Sequence, residues 1–233
     1  MVVSKNVTIL GAGAFGTSIS TILAENGYKV LLWCHESELV DYINNDHINK
    51  LFFPDFKLNE NIMATNSFEK ALSHSKYIFQ AIPVKFLRKV LLNAKNFVKK
   101  EHVFISLSKG MENESLFLPS QIINELFENK VAVLSGPNFA KEIAQKKYTA
   151  SVLASDDEDL GIELKKILQN NYFNIELSND VIGVQVGAAL KNLVSVLVGF
   201  AKGSKAAENT IALLITKSFK EIVELCKILG GNE

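Results

Sequence analysis

Short apolar runs alternate along most of the chain with segments whose apolar positions recur at helical spacing. Asn6 to Leu10 is one such run, and it stops at Gly11-Ala12-Gly13-Ala14-Phe15-Gly16. Thr17 to Glu25 then carries Ile19, Ile22 and Leu23 at helical intervals, and Asn26-Gly27 ends that helix. Lys29 to Trp33 is a second strand, so about thirty residues read strand, glycine turn, helix, strand, the size of a βαβ unit. The alternation continues through helix Glu69–Ser75, strand Tyr77–Ile82, helix Leu87–Phe97, strand His102–Leu107, helix Leu118–Leu126 and strand Val131–Leu134. Strands Thr149–Ala154 and Phe173–Leu177 flank a helix over Glu158–Leu168. This order predicts an α/β chain with a Rossmann-type, doubly wound parallel sheet.

From about Asp180 the strand signal disappears. Val181 to Phe200 reads as one long apolar helix, and Asn209 to Leu229 as a second with a stripe of Leu213, Phe219, Ile222, Val223 and Cys226. The expected division is a dinucleotide-binding domain over residues 1–180 and the start of an all-helical domain over 181–233. Ile182 to Ala201 is apolar enough to suggest a membrane span, but Gln185, Lys191 and Asn192 interrupt it. A buried core helix, with no membrane insertion, is the better reading.

Composition narrows the function. The 25 Lys+Arg residues balance 25 Asp+Glu, which leaves no basic surplus for a nucleic-acid backbone. Arg88 is the single arginine, and it falls in a predicted crossover helix. Cys34 and Cys226 match no zinc or disulfide spacing, and Met1 opens no secretory pattern, so a reducing cytoplasmic setting is expected. His47, His74 and His102 have no metal-like spacing and read as surface or loop residues; no metal is expected. Asp156-Asp157-Glu158-Asp159 reads as the N-terminal cap of the following helix.

Gly11-x-Gly13-x-x-Gly16 follows a strand and opens a helix. In that setting the first glycine makes the tight turn, the second admits a pyrophosphate, and the third lets helix and strand pack closely. The helix N-terminus then faces the diphosphate with free N–H groups. NAD-preferring folds place an acidic residue at the end of the second strand, but here the chain reads Trp33-Cys34-His35-Glu36. His35 suits a 2′-phosphate or is a plain surface residue, so NADPH and NADH both stay open.

Further motifs stand at predicted element ends: Asn49-Lys50-Leu51-Phe52-Phe53-Pro54, Ala81-Ile82-Pro83, Ser108-Lys109-Gly110-Met111-Glu112, and Leu134-Ser135-Gly136-Pro137-Asn138-Phe139-Ala140-Lys141-Glu142-Ile143. Gly183-Val184-Gln185-Val186-Gly187-Ala188-Ala189-Leu190-Lys191-Asn192 and Ala212-Leu213-Leu214-Ile215-Thr216 complete the set. With these the chain closely resembles the bacterial sn-glycerol-3-phosphate dehydrogenase [NAD(P)+] family. The Leu134–Ile143 block argues against other two-domain dehydrogenases such as 6-phosphogluconate or hydroxyacid types.

The resemblance implies reduction of dihydroxyacetone phosphate to sn-glycerol 3-phosphate for phospholipid synthesis. It places the catalytic lysine at Lys191 with its partner Asn192, and a lysine touching both cofactor and substrate at Lys109. Gly136 and Asn138 fall on substrate-contacting positions, and Ala14, Phe15, His35 and Ala140 on dinucleotide-contacting ones. An ammonium in the apolar helix at Lys191 is costly, and burial would lower its pKa into a useful range for proton transfer. The plain alternatives are a snorkelling Lys191 and a solvated Lys109.

The chain also departs from the family. Members continue past the counterpart of Gly230 into a Gly-Leu-Gly-Asp-Leu block and a later Arg-Asn pair, neither of which this chain contains. Ala201 to Asn209 replaces a glycine-rich segment, and Lys217 stands where the family has arginine. The resulting expectation is a shortened member with a complete nucleotide-binding half and impaired turnover. A catalytically inactive dinucleotide-binding remnant is the alternative. Its last helices would leave apolar faces exposed, which favours self-association as a homodimer.

Overall fold

The computed structural model describes residues 5–232. The start of the secretory-signal reading, at residues 1–4, lies outside them. The strands are β1 (Asn6–Leu10), β2 (Lys29–Trp33), β3 (Ile48–Asn49), β4 (Phe53–Lys57), β5 (Ile62–Thr65), β6 (Tyr77–Gln80), β7 (Val103–Ser106), β8 (Lys130–Ser135), β9 (Thr149–Ala154) and β10 (Phe173–Ser178). The α-helices are α1 (Ala14–Glu25), α2 (Ser37–Asp41), α3 (Phe68–His74), α4 (Val84–Ala94), α5 (Pro119–Leu126), α6 (Ala140–Ala144), α7 (Glu158–Leu168), α8 (Val181–Gly203) and α9 (Glu208–Ile228).

Eight strands form one sheet in the order β10-β9-β8-β7-β6-β1-β2-β5. The direction of winding reverses between β1 and β6, where ligands of open α/β sheets bind beyond the carboxyl ends of the strands. Alternating side chains divide the core between the two faces. Val7 and Ile9 of β1, Phe79 of β6 and Ile105 of β7 join Ile19, Ile22 and Leu23 of α1 on one face. Leu10, Ile78 and Phe104 join Leu72, Leu87, Leu91, Ile122 and Ile123 of α3, α4 and α5 on the other. The Phe104 and Phe127 rings stack within that second layer.

The doubly wound reading holds, with one change at the sheet's edge. β8 and β9 pair antiparallel, Leu134 opposite Leu153, whereas β9 and β10 are parallel. A parallel neighbour needs a crossover that returns along the sheet. Residues 136–148 contain only the five-residue α6, so the chain re-enters from the same end. Sequence periodicity also misses β3, β4 and β5. β5 extends the sheet beside β2, and β3 with β4 forms a separate hairpin.

Two further expectations are corrected. His102 is not a surface residue: it is buried, donates from Nε2 to the Leu72 carbonyl, and accepts the Lys99 N–H at Nδ1. Its burial pushes its pKa down. Nor is α8 a buried core helix, for only 22% of its most apolar window is covered. It is long and apolar enough to cross a membrane. Gln185 nevertheless docks its first half on α5: Oε1 accepts the Ser120 N–H, while Nε2 donates to Ser120 Oγ and the Val181 carbonyl. The acidic run behaves as expected, with Asp157 accepting the Leu160 N–H at the start of α7.

Candidate active site

The glycine turn closes tightly on β6. Gly11 has φ +113°, and a Cβ there would stand 2.8 Å from the Ala81 carbonyl oxygen. A Cβ on Gly16 would lie 2.0 Å from the Gly11 carbonyl oxygen and 3.1 Å from Ala81 Cβ. Around Gly13 there is nothing within 4 Å of a built Cβ. The outer glycines are therefore required by the fold, and the middle one faces open space. No side chain caps α1, and its first turn carries no acidic residue, so its leading N–H groups are free for an anion. This cradle fits a dinucleotide diphosphate.

Asn49 is a site residue that sequence reasoning quoted in a motif without assigning a role. The β3–β4 hairpin carries its fully buried carboxamide into the turn. Nδ2 donates to the Ala12 carbonyl at 2.9 Å and to Thr17 Oγ1 at 2.8 Å, and Oδ1 accepts the Phe52 N–H. Thr17 Oγ1 itself donates to the Ala12 carbonyl, so that peptide is held from two sides. The signal in the sequence was an asparagine just before an apolar stretch, with no local pattern that points toward residue 12.

The loops after β6 and β7 are tied together. Gln80, fully buried, donates to the Ile82 carbonyl and to Ser108 Oγ, and accepts from Ser106 Oγ. Ser108 Oγ donates onward to the Ile82 carbonyl. Lys109 leaves this junction with its Nζ 5.5 Å from the centre of the Phe15 ring. That geometry brings the β7 loop to the first turn of α1.

Lys109 and Lys191 then converge on one oxygen. Lys109 Nζ donates to the Gly136 carbonyl at 3.1 Å, and Lys191 Nζ donates to the same oxygen at 2.9 Å. Both lysines are half-buried. Desolvation, reinforced by the neighbouring Lys191 charge, pushes Lys109 down to about 8. Among the described residues no carboxylate forms an ion pair with either lysine. Two ammonium groups on one neutral carbonyl make a site for an anion.

Asn138 holds the third loop. Its Nδ2 donates to the Ala150 carbonyl and Thr149 Oγ1, and its Oδ1 accepts from Ser151 Oγ at 2.7 Å. A Cβ on Gly136 would meet the Ala150 carbonyl oxygen and Asn138 Oδ1, each at 2.8 Å, so glycine is needed where this loop crosses β9. In this arrangement Asn138 fixes the carbonyl on which the lysines meet. Ala140 begins α6, which packs on α1. Asn192 is exposed one residue beyond Lys191. His35 is exposed at the end of β2, tilted 6.3 Å from the Trp33 ring, and lies on the far side of β1 from the lysines. Cys34 is buried beside it, and burial pushes its thiol up to about 12.

A glycine turn at the switch point, facing one lysine from the loop after β7 and another from α8, defines a dinucleotide-dependent oxidoreductase. The family model of the NAD-dependent glycerol-3-phosphate dehydrogenase N-terminus matches residues 6–161, and that of the C-terminus matches residues 180–233. Glycerol-3-phosphate dehydrogenase [NAD(P)+] of Halothermothrix orenii is 36% identical over 98% of this chain and 67% of its own length. The protein of the same name from Alcanivorax borkumensis is 38% identical over 97% of this chain and 66% of its own. The crystal structure of glycerol-3-phosphate dehydrogenase from Coxiella burnetii superposes with a TM-score of 0.90 at 29% identity, covering 97% of this chain and 70% of that one. The chain belongs to the NAD-dependent glycerol-3-phosphate dehydrogenase family, and it spans about two thirds of the length of these relatives.

Proposed function

We propose that this chain interconverts dihydroxyacetone phosphate and sn-glycerol 3-phosphate with NADPH or NADH in the cytoplasm. The observation that carries the reading is the meeting of the Lys109 and Lys191 ammonium groups at the Gly136 carbonyl, beside the glycine turn. Gly11, Gly13, Ala14, Phe15, Gly16, His35 and Ala140 would hold the dinucleotide, which supplies hydride at its nicotinamide when bound. The chain's own residues do the rest. Lys191 leaves the Gly136 carbonyl for the C2 oxygen of the substrate and donates a proton as that carbon is reduced. In the reverse direction it accepts the hydroxyl proton. Lys109 brings a second positive charge to the phosphorylated substrate and to the cofactor edge. Gly136 and Asn138 hold the loop against which the substrate lies, and Asn192 adjoins the donor.

The division into residues 1–180 for the nucleotide and 181–233 for the catalytic helices follows the same reading. Copies associate as homodimers through α8 and α9, whose Leu193, Val196, Leu197 and Phe200 form one exposed helical stripe and whose Phe219 is 68% exposed. Sedimentation across a concentration series tests that point.

The activity is tested by following NADPH oxidation dependent on dihydroxyacetone phosphate, beside a fluorescence titration of NADPH and NADH. Turnover that Lys191→Ala abolishes while dinucleotide affinity is kept supports the proposal. Dinucleotide binding with no turnover in the unaltered chain overturns it.

A further inference from the structure

The single arginine has no place in the mechanism above, yet it is tied to it. Arg88 lies one turn into α4, directly after the Ala81-Ile82-Pro83 segment that the glycine turn packs against. Its Nε donates to Glu112 Oε1 at 2.9 Å and its Nη2 to Glu112 Oε2 at 2.8 Å, a two-point fork. The same Nη2 reaches Glu125 Oε2 of α5 at 2.7 Å. Glu112 also accepts from Ser115 Oγ, and its backbone closes the following turn by donating to the Phe117 carbonyl and accepting from the Leu116 N–H.

Glu112 is three residues beyond Lys109. The intervening Gly110 has φ +110°, and a Cβ on it would meet Val84 Cγ1 at 3.3 Å. Val84 and Arg88 are four apart on α4 and share a face, so one helix face touches this loop at Gly110 and grips it at Glu112. Met111 packs against the cluster of Leu118, Val186 and Cys226, which ties the same loop to α8 and α9. On the other side of Lys109, Ser108 is fixed to Gln80 and Ile82. Lys109 thus lies between two anchored ends, its side chain held at the Gly136 carbonyl.

We propose that Arg88 is a positioning residue for Lys109: clamped between Glu112 and Glu125, it fixes the loop that aims the Lys109 ammonium at the Gly136 carbonyl. The inference rests on the role proposed for Lys109. Without the guanidinium, Glu112 and Glu125 face one another as like charges and the loop loses its far anchor. Lysine cannot replace the fork, because it offers a point charge where two parallel hydrogen bonds are made.

The test is a double-mutant cycle between Arg88→Met and Lys109→Met in the full chain, with Glu112→Gln as an isosteric second route that leaves the Arg88–Glu125 pair in place. Dihydroxyacetone phosphate binding is measured by calorimetry with oxidised dinucleotide present, and NADPH binding by fluorescence. Arg88→Met and Glu112→Gln are each expected to weaken dihydroxyacetone phosphate binding about tenfold in the parent chain. Neither weakens it further in the Lys109→Met background. Arg88→Lys recovers only part of the loss. Equal loss in both backgrounds, or no loss from either variant in the parent chain, overturns the proposal while leaving the Lys109 reading intact. Unchanged binding in Lys109→Met alone overturns both.

Discussion

The glycine turn permits a sharp separation between folding and ligand binding. Replacing Gly16 by Ala puts a Cβ at 2.0 Å from the Gly11 carbonyl oxygen and 3.1 Å from Ala81 Cβ. Neither neighbour is a flexible side-chain end: one is backbone, the other is seated at the β6 exit. Relief requires α1 to move away from β1 by more than an ångström. Overpacking of this kind costs about 1–3 kcal/mol, and a backbone clash belongs at the upper end. For a chain of this size each kcal/mol lowers Tm by about 2–4 °C, so Gly16→Ala should fall by roughly 4–12 °C.

Gly13→Ala is the matched control. Nothing lies within 4 Å of its built Cβ, and its φ of −67° and ψ of 179° suit alanine. Alanine is the weaker N-cap by a few tenths of a kcal/mol to about 1, while reduced freedom in the unfolded chain returns about 0.4–1 kcal/mol. Its Tm should therefore stay within about 2 °C of the parent. Its methyl group nevertheless enters the open space proposed for the diphosphate, so NADPH affinity should fall at least about tenfold, near 1.4 kcal/mol. Thermal melts and fluorescence titration of both variants decide the matter. A Gly13→Ala chain that binds NADPH normally, or one that loses as much Tm as Gly16→Ala, refutes this division of roles.

Other perturbations reach the remaining parts. Lys109, at about 8 against the ordinary 10.5, is protonated less readily in the folded chain than in the unfolded one. The unfolded chain binds more protons across that window, so stability should rise between those two values and the rise should vanish in Lys109→Met melts. Affinity for dihydroxyacetone phosphate should fall as pH rises through about 8, checked by calorimetry at several pH values, and flatten in the same variant. Asn49→Ala removes three hydrogen bonds, two of them buried; a loss of about 1–3 kcal/mol in denaturant unfolding and weaker NADPH binding are expected. His102 has its pKa lowered by burial, so the unfolded chain takes up its proton first as pH drops below 6.5. Stability should decline on that acid side, and a His102→Gln melt series should show a shallower decline.

The elements that were legible in the sequence are those whose signal is local. β1, β2, β7 and α1 announce themselves by apolar period and by glycine, and Lys191 stands out because an ammonium in an apolar helix is expensive. What was missed depends on partners far along the chain. The β3–β4 hairpin carries two short strands with little alternation, and Asn49 gains meaning only from Ala12 and Thr17. His102 looks like any loop histidine until Leu72 and Lys99 close on its two nitrogens. The reversed β9 follows from a short α6, which periodicity alone does not weigh against a full crossover. α8 misled in the opposite direction: its apolar content was visible, but what covers it is not a property of the helix itself.

The same distinction explains how a chain with one arginine can recognise a phosphorylated substrate. A guanidinium fork supplies charge and orientation together, whereas an ammonium supplies charge alone. Here the fork is spent inside the fold, on Glu112 and Glu125. Orientation for the two lysines must then come from the backbone they meet. The Gly136 carbonyl is held in place because Asn138 pins its loop to β9 and because no side chain at Gly136 keeps the strands apart. Lys109 and Lys191 reach that point from different parts of the fold, the loop after β7 and α8, and share no carboxylate among the described residues. The arrangement keeps positive charge uncompensated until an anion arrives. Burial first, and the Lys191 charge second, depress the Lys109 pKa, and the loop that carries this ammonium is anchored on either side.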